Sequence, residues 1–310
     1  MSGRLRALRP ERYAIATPRP GLAHRAGHVW EQAALPLIAR RAQLIYSPAN
    51  LAPLAAGRRN VVVIHDAAAL RHPEWYGRGY VAYQRALLPA LARRAALVIT
   101  VSEWSRHELV DVLRADPERI AVVPNGVDER FHPGATPPRR DRPYVLAVGT
   151  RIARKNHAAL EAAARELDRE GIDLVAAGSG RHYMRAEGDA PVKALGYVDD
   201  ADLPGLYAGA LALAMPSLYE GFGLPALEAM ASGTPVVASN RGALPETCGD
   251  AALLVDPDDP DALASELLRV TRDGELRSAL SERGVDRARK FSWAAAAKRT
   301  DQLIDVLVHP

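Results

Sequence analysis

The chain has 310 residues, 48% hydrophobic and 25% charged, with a net charge of +3. That length accommodates two domains that each bury a core, and the composition is that of a soluble globular protein rather than a disordered or fibrous one. A single cysteine, Cys248, excludes an intrachain disulfide. No apolar run approaches the roughly 20 residues needed to span a bilayer, and the opening MSGRLRALRPERY lacks the apolar core of a leader peptide, so a cytoplasmic location is expected.

The charge is uneven. Residues 1–142 hold 22 Arg and no Lys against 12 acidic residues, giving +10, whereas residues 143–310 carry −7. Two readings fit: a basic half drawn to anionic phospholipid by its summed field, or an arginine-rich composition that merely decorates the surface. No zinc-finger spacing or RNA-recognition signature accompanies the charge, so no nucleic-acid partner is expected.

In chain order, residues 13–16 are predicted as a strand, 29–42 as a helix despite Pro36, and 44–46 as a short strand. In RRNVVVIHDAAAL the apolar run 61–64 predicts a parallel strand covered on both faces. His65 and Asp66 fall at its carboxyl end, where open α/β sheets place ligands. A helix rich in Tyr, Leu and Arg spans 78–95, a strand follows at 97–101, and Ser102 is placed as the N-cap of the next helix. IAVVPNGVD supplies one more strand and the turn Asn125-Gly126, and the proline-rich, charged stretch up to Pro143 reads as a linker.

A fresh series follows, with strands predicted at 144–148, 172–177, 192–195, 211–215 and 236–239. Helices are predicted at 156–170, 202–210, from Leu224 onward, and at 293–308. Strand–helix alternation on both sides of a linker implies two parallel-sheet domains. The boundaries fall at 1–130, a linker at 131–143, 144–290, and a closing helix within 291–310.

Residues 217–234, SLYEGFGLPALEAMASGT, carry two glutamates eight positions apart, Glu220 and Glu228. Gly221, Phe222 and Gly223 break the chain before an apolar helix; Pro225 suits its first turn, and Gly233 with Pro235 ends it. Glu220 then stands on a loop at a helix N-terminus and Glu228 about one turn in. Two carboxylates, free backbone N–H groups and a positive helix end share one crevice, suited to a phosphorylated, hydroxyl-rich ligand. In GTRIARKN, the adjacent cations Arg154 and Lys155 stand where a strand meets its helix, a good clamp for a diphosphate.

The Glu220-x7-Glu228 pair, embedded in YEGFGLPALEAMASGTPVVAS, resembles the signature of retaining, nucleotide-sugar-dependent glycosyltransferases of the GT-B fold. The nearest likeness is to bacterial mannosyltransferases of surface-polysaccharide assembly. That resemblance implies an α/β chain of two Rossmann-like parallel-sheet domains facing a cleft. It assigns His65 and Glu220 to catalysis at the transferred sugar, and Arg154 and Lys155 to the donor diphosphate. Glu228 goes to the ribose, since a carboxylate can accept both hydrogens of a vicinal diol. Gly221, Phe222, Gly223 and Leu224 would contact the donor sugar, and Gly178, Ser179, Tyr197 and Val198 would line the base.

The resemblance further implies transfer of a hexose, mannose from GDP-mannose, to a glycan or lipid-linked hydroxyl at the inner membrane face. The basic helix from Arg78, with Tyr80 and Tyr83, would contact that anionic surface. No cofactor beyond the nucleotide-sugar donor and no metal are expected: Asp256-Pro257-Asp258 matches a D-x-D string but reads as an acidic turn before a helix. Two departures stand out. Thr150 follows Gly149 where many relatives carry arginine, and residues 1–60 hold no glycine-rich loop, Gly3, Gly21 and Gly27 being isolated, so the first domain reads as shortened at its start. Rival readings on the same architecture are a sugar-nucleotide epimerase or phosphorylase, and a non-catalytic nucleotide-sugar-binding or degenerate subunit.

Overall fold

The computed structural model describes residues 1–18, 27–150, 152–178 and 192–309. The chain divides into two compact units, Met1–Pro73 with Arg78–Gly126 and Trp293–Pro310, and Glu74–Gly77 with Val127–Ser292.

The first unit is built on four parallel strands in sequence order: β1 (Ile45–Ser47), β2 (Asn60–Val63), β3 (Leu97–Thr100) and β4 (Ile120–Val122). All four residues of β2 are buried, as an apolar run covered on both faces requires. Helix α1 is Ser2–Leu8, α2 is Arg78–Arg94 and α3 is Glu103–Leu113. In α2 the buried residues Val81, Gln84, Leu87, Leu88 and Leu91 recur at three- and four-residue spacing, and the leucines pack against Val62, Ile64 and Val98. Ser102 caps α3, its hydroxyl accepting the Ser105 N–H at 3.0 Å.

Three expectations change in this unit. Residues 13–16 are not a strand; the ordered element nearby is α1, with Leu5 buried. Tyr13 is instead recruited by a long-range partner, donating its hydroxyl to Asp301 at 2.6 Å. The helix around Pro36 stops at Ile38 rather than 42, and it passes through a π-helical stretch, Trp30–Ala34, before a short α-turn, Leu35–Ile38. Proline cannot donate to the carbonyl four residues back, and the wider turn accommodates the gap. Tyr83, expected at a membrane face, packs against His28 with ring centroids 5.3 Å apart, and its hydroxyl is buried.

The second unit is a six-stranded parallel sheet. Its strands are β5 (Tyr144–Val148), β6 (Asp173–Ala177), β7 (Lys193–Gly196), β8 (Ala212–Met215), β9 (Val236–Ser239) and β10 (Ala252–Val255). Their spatial order is β10-β9-β8-β5-β6-β7. The helices that concern us are α4 (Glu161–Arg169), α5 (Leu203–Ala208), α6 (Leu224–Ala231), α7 (Pro260–Arg272) and α8 (Gly274–Ala288). One face of the sheet is sealed by Leu160, Ala163 and Leu167 with Leu263, Leu267 and Val270 over Val145, Leu174 and Val237.

The single helix predicted over 156–170 is segmented. A 3-10 turn, Ala153–Lys155, ends in Asn156 at φ 54°, a left-handed conformation that asparagine tolerates. A second 3-10 turn, His157–Leu160, then leads into α4. Arg154 and Lys155 therefore sit on a tight turn after β5 rather than on the first turn of a long helix. The closing helix α9 (Trp293–Val308) belongs to the first unit, where its buried Asp301 also pairs with Arg9 at 2.9 Å.

Candidate active site

Strand order in the second unit reverses at β5: the chain proceeds through β6 and β7 on one side, then returns through β8 on the other. Ligands of open parallel sheets bind at such a switch point, outside the carboxyl ends of the strands. The loops after β5 and β8 emerge there, one carrying Arg154 and Lys155, the other Glu220.

Glycines make the first loop possible. Gly178, at φ +145°, lies so close to the neighbouring turn that a Cβ would stand 2.0 Å from the Gly149 carbonyl oxygen. The turns after β5 and β6 thus meet backbone to backbone. Gly149, at φ +139°, would place a Cβ 3.0 Å from Lys155 Cε, so its bare backbone leaves room for that side chain to turn inward.

The second loop is clamped from behind. The Glu220 carbonyl accepts the Ala243 N–H at 2.9 Å, and Thr247 donates its hydroxyl to the Phe222 carbonyl at 2.6 Å. Gly221, Phe222 and Gly223 are buried, and Leu224 opens α6 with Pro225 in its first turn. Gly223 adopts φ +99°, which only glycine enters readily.

Between the loops lies a buried ion pair. Lys155 Nζ donates to Glu220 Oε1 at 2.5 Å, with both residues less than a tenth exposed. Arg154 Nη1 donates to the Tyr219 carbonyl at 3.2 Å and lies 3.8 Å from Glu220 Oε2. Burial pushes the Glu220 carboxyl up, but Lys155 and Arg154 outweigh it and hold the group below its ordinary value. Burial pulls the Lys155 ammonium down, and Glu220 opposes that pull. Two cations against one carboxylate leave this corner net positive, which suits an arriving polyanion.

Glu228 stands on α6, where Tyr207 of α5 donates its hydroxyl to Oε2 at 2.9 Å. Its carboxyl is pushed up to about 7, burial being the main cause and Asp200 adding to it, against Tyr207, Arg130 and Lys155. Among the expected base-lining residues, Gly178 abuts Gly149, Tyr197 is 71% exposed, Val198 is half-buried, and Ser179 lies outside the described residues. Asp256 and Asp258 are both engaged by Arg241, at 3.0 and 2.6 Å, and Asp259 caps α7. That is the geometry of an acidic turn.

His65 lies two residues past the end of β2 in the first unit. Its N–H donates to Asn50 Oδ1 at 2.7 Å, its carbonyl accepts the Ser105 hydroxyl at 3.0 Å, and its Nε2 lies 3.0 Å from the Pro48 carbonyl. That carbonyl can only accept, so Nε2 carries the hydrogen. Asp66 is occupied locally, accepting the Ala68 N–H. Sequence reasoning missed Asn50 and Tyr207. A lone tyrosine inside the apolar LPGLYAGA was the available signal, because a buried phenol needs a partner for its hydroxyl.

Residues 128–287 match the family model described as Glycosyl transferases group 1, and residues 3–131 match that described as Glycosyltransferase Family 4. The chain belongs to the group 1 glycosyl transferases. It is 34% identical over 264 residues to the O-antigen chain mannosyltransferase B of Escherichia coli, a match covering 78% of this chain and 69% of that protein. It is also 34% identical over 243 residues to the MMP alpha-(1->4)-mannosyltransferase of Mycolicibacterium hassiacum, covering 73% of this chain and 56% of the relative. Among solved structures, sucrose-phosphate synthase from Thermosynechococcus elongatus superposes with a TM-score of 0.72 at 23% identity, covering 95% of this chain and 81% of that one. The architecture is GT-B, with two Rossmann-like parallel-sheet domains.

Proposed function

We propose that this glycosyltransferase moves mannose from GDP-mannose, with retention of configuration, onto a glycan or lipid-linked hydroxyl. The observation that carries the reading is the convergence of Arg154, Lys155 and Glu220 at the switch point of the second sheet, with Glu228 on the following helix. The mannosyl donor is supported by the two relatives named as mannosyltransferases.

In this reading Arg154 and Lys155 hold the donor diphosphate and stabilise its growing charge as it leaves. Glu228 accepts the ribose hydroxyls, and Gly178, Ser179, Tyr197 and Val198 border the base. Backbone N–H groups of residues 221–224 hold the sugar, with Glu220 and His65 assigned to its hydroxyls. The acceptor oxygen forms its bond to C1 on the face from which the diphosphate departs. The C1–O bond to the phosphate breaks, and the acceptor proton passes to the departing phosphate oxygen. The protein then supplies positioning and charge rather than a strong base. No metal is assigned a role in this reading. The exposed Arg78, Arg85, Arg93 and Arg94 of α2 supply charge for contact with an anionic membrane.

Calorimetric titration with GDP and UDP, followed by turnover of GDP-mannose on oligosaccharide and polyprenyl-linked acceptors, tests this. Tighter binding of GDP and an α-linked mannoside in the product NMR spectrum are expected. A β-linked product overturns retention, and preferential use of UDP-glucose overturns the donor.

A further inference from the structure

Glu228 depends on a residue that no sequence motif assigned. Tyr207 is fully buried, and its hydroxyl gives the only hydrogen bond that the Glu228 carboxylate receives among the described residues. Burial, reinforced by the Glu228 charge, raises the phenol well above its ordinary value, so it is a donor at every accessible pH. A bond from such a fixed donor to Oε2 sets the rotation of the carboxylate and leaves its other lone pairs for a ligand.

Tyr207 is itself held by two further contacts. Its ring meets Phe131 edge-on at 5.7 Å and 76°, and its carbonyl accepts the Thr234 hydroxyl at 2.7 Å. The Arg130 guanidinium lies over the Phe131 ring, 5.1 Å from its centroid. None of these contacts needs the phenol oxygen. The bond to Glu228 is what that oxygen does.

We propose that Tyr207 is a positioning residue of the nucleotide site, its hydroxyl holding the Glu228 carboxylate in the orientation and charge state that accept the ribose diol. This rests on the assignment of ribose to Glu228 made above. The groups facing Glu228 are Tyr207 from α5, Arg130 and Asp200 from the flanking loops, and Lys155 from the turn after β5. Tyr207 donation favours the ionised form, so its loss moves the titration upward. A protonated carboxyl accepts less well, so nucleotide affinity falls as pH drops below the Glu228 value of about 7.

The test is titration of GDP and of 2′,3′-dideoxy-GDP into wild type, Tyr207→Phe and Glu228→Gln across pH 5.5–9, with UDP and its dideoxy form run in parallel. Tyr207→Phe keeps the ring, the Phe131 contact and the Thr234 bond, and thermal unfolding verifies its fold. Expected at pH 7 is a loss of roughly tenfold in GDP affinity, the size of one bond to a charged group. That loss should shrink toward pH 9, and dideoxy-GDP should bind wild type and Tyr207→Phe equally. If Glu228→Gln weakens GDP while Tyr207→Phe does not, or if the loss is the same at every pH, Tyr207 is only a packing residue. If Glu228→Gln leaves affinity unchanged, or neither nucleotide binds, the ribose assignment itself fails and this inference falls with it. As a second readout, Phe131→Leu, which leaves the hydroxyl in place but loosens the ring, should weaken GDP binding in the same pH-dependent way and spare dideoxy-GDP.

Discussion

Lys155 cannot be judged as a phosphate ligand apart from Glu220. With the two charges 2.5 Å apart and buried, removing one leaves the other without its main counter-charge in a low-dielectric site. Lys155→Met should therefore destabilise the second unit by about 3–5 kcal/mol, as breaking a buried pair does. The double variant Lys155→Met with Glu220→Gln should recover most of that stability, since a buried pair replaced by neutral groups costs little. Neither variant should bind a nucleoside diphosphate well. Denaturant unfolding and GDP titration separate the two effects: a double variant as unstable as the single one would mean the pair contributes little through its charges. The residues of this pair were legible from the chain. Their mutual contact was not, because they lie 65 positions apart and meet only when β8 lies beside β5.

At the scale of elements, the charged corner of the site is built on the loops after β5 and β8, with Glu228 on the following helix α6. The helix predicted over 156–170 is helical from His157 to Arg169, with a 3-10 first turn, and what periodicity does not register is the left-handed Asn156 that sets it apart from the preceding turn. That break is what carries Arg154 and Lys155 on a tight turn. Gly178 is the matching device after β6. Gly178→Ala should cost about 1–3 kcal/mol from backbone strain alone, and the clash with the Gly149 carbonyl should also displace the turn holding Lys155. A melting temperature and GDP affinity both within error of wild type would show that the two turns do not need this close approach. The E-x7-E helix was far more readable, with Pro225 at its start and its bounds at Leu224–Ala231, because capping and propensity are local.

At the scale of the whole molecule, each unit carries its own sheet and core, and the residues assigned to the diphosphate and ribose all belong to the second. Differential scanning calorimetry should resolve two transitions, with GDP raising that of the second unit. Asp301→Ala, which removes the partner of Tyr13 and Arg9, should lower the transition of the first unit and leave GDP affinity unchanged. A single transition shifted as a whole by both treatments would show that the units unfold as one. The amino-acid sequence by itself determined the alternation of strands and helices, the turn glycines and the identity of the charged residues, since each depends on neighbours within a few positions. Only the tertiary structure decided that Lys155 pairs with Glu220, that Tyr207 donates to Glu228, that Gly178 abuts Gly149 and that Tyr13 bonds Asp301 of α9 instead of joining a sheet. Those contacts follow from strand order and long-range packing, which join segments whose local chemistry carries no mark of their partners.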